Sequence, residues 1–226
     1  ILLTAAARSG AVTRAIARAA ATLARGDMLL LTYSGHGGQI PDTNHDEADR
    51  QDETWVLYDR ELIDDEIYSL WARFKPGVRI VVLSDSCHSG TVSRDMATIR
   101  RANAGQGFPK RQRFMPPDVA LKTYKRHRKL YDGIQAATPG SEKTVVRAAV
   151  ILISGCQDNQ TSSDGDRNGL FTGKLRKVWA GGKRFKGGYR TLRDRISALM
   201  PRIQSPNYYR VGAVNAAFER QKPFTL

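Results

Sequence analysis

Residues 79–91 read RIVVLSDSCHSGT, and the fold turns on how that stretch is read. Arg79, Ile80, Val81, Val82 and Leu83 form a short apolar, β-branched run, as expected of a strand buried on both faces, and it stops at small polar residues. Cys87 therefore falls just past the carboxyl end of a central strand, where open α/β sheets place their chemistry. A second buried-strand run, MLLLTY over Met28–Tyr33, ends in Ser34-Gly35-His36-Gly37-Gly38. One strand tip offers a thiol and the other an imidazole, each among glycines that let a substrate backbone come close. The pair reads as a Cys/His dyad.

Around these tips the chain alternates helices and strands. Ser9–Arg25 sets Val12, Ile16, Ala19, Ala20 and Leu23 on one face at helical spacing, and Gly26 stops it before the Met28 run. From Gln39 to Glu66 there are 11 Asp/Glu against Arg50 and Arg60, which reads as loop interrupted by one short strand at Thr54–Tyr58. Asp64, Asp65 and Glu66 then open a helix reaching about Phe74, their charges suiting its amino-terminal dipole. Residues 104–143 mix Gly and Pro with basic runs and read as an insertion or flexible connector, with one helix over Asp118–Gln135 capped by Asp118. A third buried-strand run, AAVILIS, closes Arg147–Ser154, and helices at Gly169–Trp179 and Leu192–Ile203 precede a last strand at Tyr208–Val214. Residues 1–226 thus read as a single domain, and the start at Ile1 in a strand-like ILL leads us to expect a missing amino-terminal strand.

The formal charge of +14 would ordinarily suggest nucleic acid or an anionic membrane. Its distribution argues against both. Residues 1–99 hold 10 Lys/Arg and 14 Asp/Glu, residues 100–150 hold 12 and 3, and residues 174–202 hold 10 and 1, so the excess lies outside the half that carries the candidate site. The basic stretches lack aromatic interleaving, so nucleic acid is disfavoured. Two cysteines, Cys87 and Cys156, make neither a disulfide framework nor a zinc cluster, and no apolar run is long enough for a membrane span. A reduced, cytoplasmic setting is expected. Oligomeric state leaves no mark in the sequence.

Tyr33-Ser34-Gly35-His36-Gly37, Asp85-Ser86-Cys87-His88-Ser89-Gly90 and Ile153–Ser162 resemble, in order and interval, the motif blocks of metacaspases and bacterial orthocaspases. The His36-to-Cys87 interval is 51 residues, matching the interval of about 50 found in caspases. The resemblance implies the caspase/hemoglobinase α/β fold, a three-layer sandwich whose mostly parallel central sheet is flanked by helices, and cysteine endopeptidase activity on peptide or protein substrates. Such chemistry needs an imidazole to activate a thiol whose unperturbed pKa is near 8.5, and backbone N–H groups to hold the oxyanion. Cys87 and His36 fill the first roles, and the N–H groups of Cys87 and Gly37 the second. His88 is a competing base, although adjacent side chains diverge as a chain leaves a strand. Cys156 reads as packing, and Trp55, Trp71 and Trp179 as core or pocket wall.

Asp85 lies two residues before Cys87, a spacing that sends both side chains to one face of an extended strand end. The resemblance makes Asp85, with Ser34 and Asp158 beside it, the pocket for an Arg or Lys preceding the scissile bond; Asp158 and Asp164 could equally cap turns. Many metacaspases depend on calcium. The acidic stretch supplies candidate ligands in Asp64 and Asp65, with Asp95 and more loosely Asp52, against the alternative of a solvated acidic face. No other cofactor is called for. The principal alternative to an enzyme is a catalytically silent interaction domain of the same fold. Lys110, Arg111 and Arg113, and Lys125, Arg126, Arg128 and Lys129, are candidate sites of self-processing in the connector, or a solvated basic run.

Overall fold

The computed structural model describes residues 1–45, 47, 50–86, 113–138, 140, 143–156, 169–201 and 204–226. The helices are α1 (Ser9–Thr22), α2 (Asp64–Trp71), α3 (Pro117–Arg126), α4 (Arg128–Ala137), α5 (Leu170–Trp179), α6 (Tyr189–Ser197) and α7 (Ala216–Arg220). The strands are β1 (Met28–Ser34), β2 (Gly37–Pro41), β3 (Gln51–Val56), β4 (Glu61–Ile63), β5 (Arg79–Asp85), β6 (Ala149–Ser154) and β7 (Asn207–Gly212). The main sheet runs β1-β5-β6-β7, the first three parallel and β7 antiparallel to β6.

Period-two alternation along β5 and β6 builds the layers. Ile80, Val82 and Val150 face α1 and α2, packing on Ile16, Ala20, Ile67, Leu70, Trp71 and Phe74. Val81, Leu83, Ile151 and Ile153 face α5, α6 and α7 through Phe171, Tyr189, Leu192, Ile196 and Phe218. Ile80, Val81, Val82, Ile151 and Ile153 are each at most 1% exposed, so each contributes roughly 1.5–3 kcal/mol by burial. The result is an α/β sandwich with a mostly parallel centre.

Four expectations are corrected. Met28–Ser34 is not buried on both faces: it is the outer strand of the described sheet, and Leu30 is 48% exposed while Leu29, Leu31 and Tyr33 pack beneath α1 and α2. The acidic stretch is not mostly loop, because β2, β3 and β4 form a second, antiparallel sheet with Gly37 opposite Trp55 and Thr54 opposite Ile63. Gly and Pro in β2 mask its strand character, and pairing to β3 supplies what composition does not.

The connector's single helix is two, broken at His127, and Asp118 is not the cap: Pro116 stands at that position, and Asp118 makes an exposed pair with Lys122 in the first turn. The described part of this connector packs in place, since Tyr124 and Tyr131 bury against Ile40 and Ile63 of the small sheet. Finally, the helix expected at Leu192–Ile203 begins at Tyr189 and ends at Ser197, and α7 follows β7 with Asn215 accepting the Phe218 N–H at 2.9 Å.

Candidate active site

Parallel register sets Ser34 level with Asp85 at the carboxyl ends of β1 and β5. Between β1 and β2 the chain turns through Gly35 and His36, and Tyr33 fixes that turn. Its hydroxyl reaches the carbonyl oxygens of His36 at 2.7 Å and Val56 at 3.0 Å, and its ring stacks on Trp55 at 4.5 Å. Burial pushes the Tyr33 hydroxyl far up, so it stays protonated. A Cβ at position 35 would lie 2.5 Å from that oxygen, which is why the turn takes glycine. Val56 N–H also donates to His36 O at 3.0 Å, so the backbone of His36 is pinned while its side chain is exposed.

Asp85 is 1% exposed. Its Oδ2 accepts from the Thr172 N–H at 3.1 Å and from the Thr172 hydroxyl, at the start of α5. The same oxygen lies 3.7 Å from a guanidinium nitrogen of Arg113, which also donates to Ser34 Oγ at 2.6 Å and to the Asp85 carbonyl at 3.0 Å. Gly169 makes the space: a Cβ there would stand 2.1 Å from Asp85 Oδ2 and 2.7 Å from Arg113 Cζ. The Gly37 N–H donates to the Arg113 carbonyl oxygen at 3.0 Å, and Met115 N–H to the Gly37 carbonyl at 2.7 Å.

Ser34 and Asp85 thus meet around the Arg113 guanidinium, with His36 on the adjoining turn and Gly37 at the start of β2. Cys87, His88, Asp158 and Asp164 lie outside the described residues. Gly169 and Thr172 were not foreseen as parts of the site, Tyr33 was named only within the histidine motif and Arg113 only as a self-processing candidate; the one signal for the first two was the glycine opening the α5 pattern after a polar stretch. Cys156 is 3% exposed and donates its thiol to the Ser86 carbonyl at 3.3 Å, a packing position. Trp55 and Trp71 are core.

A second cluster lies on the small sheet, where carboxylate oxygens of Glu47, Glu53 and Asp64 come within 4.8 Å of one another. Burial, then Glu53, Asp52, Asp65 and Glu47, hold the Asp64 carboxyl well above its ordinary range. Of the expected ligands Asp64 is in this cluster, Asp65 accepts from Asn44 Nδ2 at 2.7 Å, Asp52 is buried nearby, and Asp95 lies outside the described residues. Glu47 and Glu53 were missed. Like charges crowded this closely, all oxygen donors, fit a hard divalent cation.

The family model for the caspase domain matches residues 4–216, so the chain belongs to the caspase-domain family of cysteine peptidases. It is 33% identical over 178 residues to metacaspase-1A of Aspergillus fumigatus, covering 68% of this chain and 41% of that protein. It is 34% identical over 167 residues to metacaspase-1 of Mycosarcoma maydis, covering 66% of this chain and 42% of that protein. The chain therefore spans about two-fifths of the length of these curated relatives. The crystal structure of protein GSU0716 from Geobacter sulfurreducens superposes with a TM-score of 0.87 at 49% identity, over 100% of this chain and 81% of that one. No helix among the described residues is long and apolar enough to cross a membrane.

Proposed function

We propose that this chain is a cysteine endopeptidase that hydrolyses protein substrates after Arg or Lys through Cys87 and His36. One observation carries the reading: the buried Asp85 carboxylate and Ser34 Oγ receive a guanidinium at the tips of β1 and β5. A buried carboxylate beside a cation site attracts Arg or Lys and opposes an acidic side chain.

In the reaction His36 takes the Cys87 proton, and the thiolate sulfur bonds to the scissile carbonyl carbon. The oxyanion draws on the Gly37 N–H and that of Cys87. The C–N bond then breaks as His36 returns the proton to the leaving amine, leaving a thioester. Water, deprotonated by His36, attacks that thioester, releasing the carboxylate and regenerating the thiol.

Glu47, Glu53 and Asp64 would hold calcium, whose charge offsets their mutual repulsion and ties β3 to the start of α2. No step of the hydrolysis uses it.

The test is hydrolysis of fluorogenic peptides ending in Arg, Lys or Asp by wild type and Asp85→Asn. Arg and Lys peptides should be cleaved far above Asp, with the preference lost in the variant. Preferential cleavage after Asp would sink the pocket assignment. A silent domain of the same fold would hydrolyse none and resist a thiol-reactive peptide electrophile at Cys87.

A further inference from the structure

The turn between β1 and β2 carries an exposed imidazole on a backbone that is held from three sides. The Gly35 N–H donates to the Asp85 carbonyl at 3.4 Å, tying the turn to the tip of β5. The His36 carbonyl oxygen accepts the Val56 N–H at 3.0 Å, which ties it to the end of β3. That same oxygen lies 2.7 Å from the Tyr33 hydroxyl, which also reaches the Val56 carbonyl at 3.0 Å. A single phenol therefore joins the last turn of β1, the backbone of His36 and the end of β3.

Tyr33 is itself immobilised. Its ring lies on the buried Trp55 with centroids 4.5 Å and planes 12° apart, and the β2–β3 register sets Trp55 opposite Gly37, the residue after His36. Gly35 leaves room for the hydroxyl, since a Cβ there would stand 2.5 Å from it. Stacking on Trp55 needs only the ring, so the hydroxyl is the part that acts on the turn. An exposed imidazole has no packing of its own to aim it, and its placement is then set by the backbone that carries it. Proton transfer demands hydrogen-bond reach, and a misplacement of about 1 Å can cost about a hundredfold in rate.

We infer that Tyr33 is a positioning residue for His36, its hydroxyl holding the turn so that the imidazole is presented in one orientation. The inference rests on the peptidase reading above, in which His36 is the base. Tyr33 acts on the proton-transfer steps, while that reading assigns binding of the basic side chain to Asp85 and Ser34.

The test compares wild type, Tyr33→Phe, Gly35→Ala and the double variant on an Arg-terminated fluorogenic peptide, below the melting temperature measured for each. Tyr33→Phe keeps the stacked ring and should lower kcat roughly ten- to a hundredfold, with KM within about twofold of wild type. Gly35→Ala should also lower kcat, because its Cβ drives the hydroxyl aside. Introduced into Tyr33→Phe it should cost less than it does in wild type, since the nearest atom it meets is gone. An unchanged kcat in Tyr33→Phe, a KM that moves as much as kcat does, or full additivity of the two substitutions overturns the inference and leaves the peptidase reading standing. Absence of hydrolysis by wild type overturns the two together.

Discussion

Replacing Glu61 with Gln should remove a pH dependence built into the small sheet. Glu61 is 1% exposed on β4; its Oε1 faces Thr54 Oγ1 at 3.5 Å and lies where a Cβ on Gly38 would come within 2.6 Å. Its Oε2 has no hydrogen-bond partner among the described residues. Burial outweighs the hydrogen bonds from Thr54 and Tyr131 and raises the carboxyl from 4.5 to about 7. The folded state therefore holds the proton more tightly than the unfolded chain. Stability from this group is fully present below pH 4.5 and is lost as pH rises to about 7, where the buried carboxylate ionises. At about 1.4 kcal/mol per unit, the loss is on the order of 3 kcal/mol, a sizeable share of the 5–15 kcal/mol typical of a domain. Urea unfolding of wild type and Glu61→Gln across this range measures it. The difference between the two should grow from pH 4.5 to 7 in favour of Gln and then level off. A difference that stays flat, or that grows in favour of wild type, refutes the reasoning.

Cys87→Ala and His36→Ala should each lower peptide hydrolysis by several orders of magnitude, with the double variant little worse than either, because the pair acts as one unit; single-turnover kinetics on all three checks this. Gly169→Ala should raise KM for Arg peptides at least tenfold, since its Cβ would stand 2.1 Å from the Asp85 carboxylate, while circular dichroism stays unchanged. Calcium should raise the melting temperature of wild type, by the equivalent of about 2.7 kcal/mol at a hundred times Kd, and the shift should vanish in Asp64→Asn; calorimetry in chelator and in calcium decides.

How much was legible depended on whether the signal was local. β5 and β6 could be read because runs such as Ile80–Leu83 and Val150–Ile153 are apolar at every position, the pattern expected of a strand covered on both sides. The same composition in Met28–Leu31 misled, because apolarity alone does not distinguish a central strand from an outer one; that is decided by which partners lie alongside. β2 was hidden by its glycines and proline, and the break at His127 has no sequence cue. Asp85 and Ser34 were singled out for the expected pocket through period-two spacing and motif. Thr172 and Arg113 were not, since they reach Asp85 from 87 and 28 residues away in sequence.

The Asp85 carboxylate serves two neighbours through one oxygen, holding Thr172 at the head of α5 while facing the pocket. Its charge is therefore not an interchangeable cassette. Inverting preference with Asp85→Lys or Asp85→Arg would place a cation against the positive end of α5 and strip the Thr172 N–H of its acceptor. A lineage or a designer moving this scaffold toward acidic substrates must redraw the head of that helix, Gly169 included, in the same step. On the proposed reading, the preference for a basic residue would be tied to foldedness, because the carboxylate that sets it also holds the head of α5.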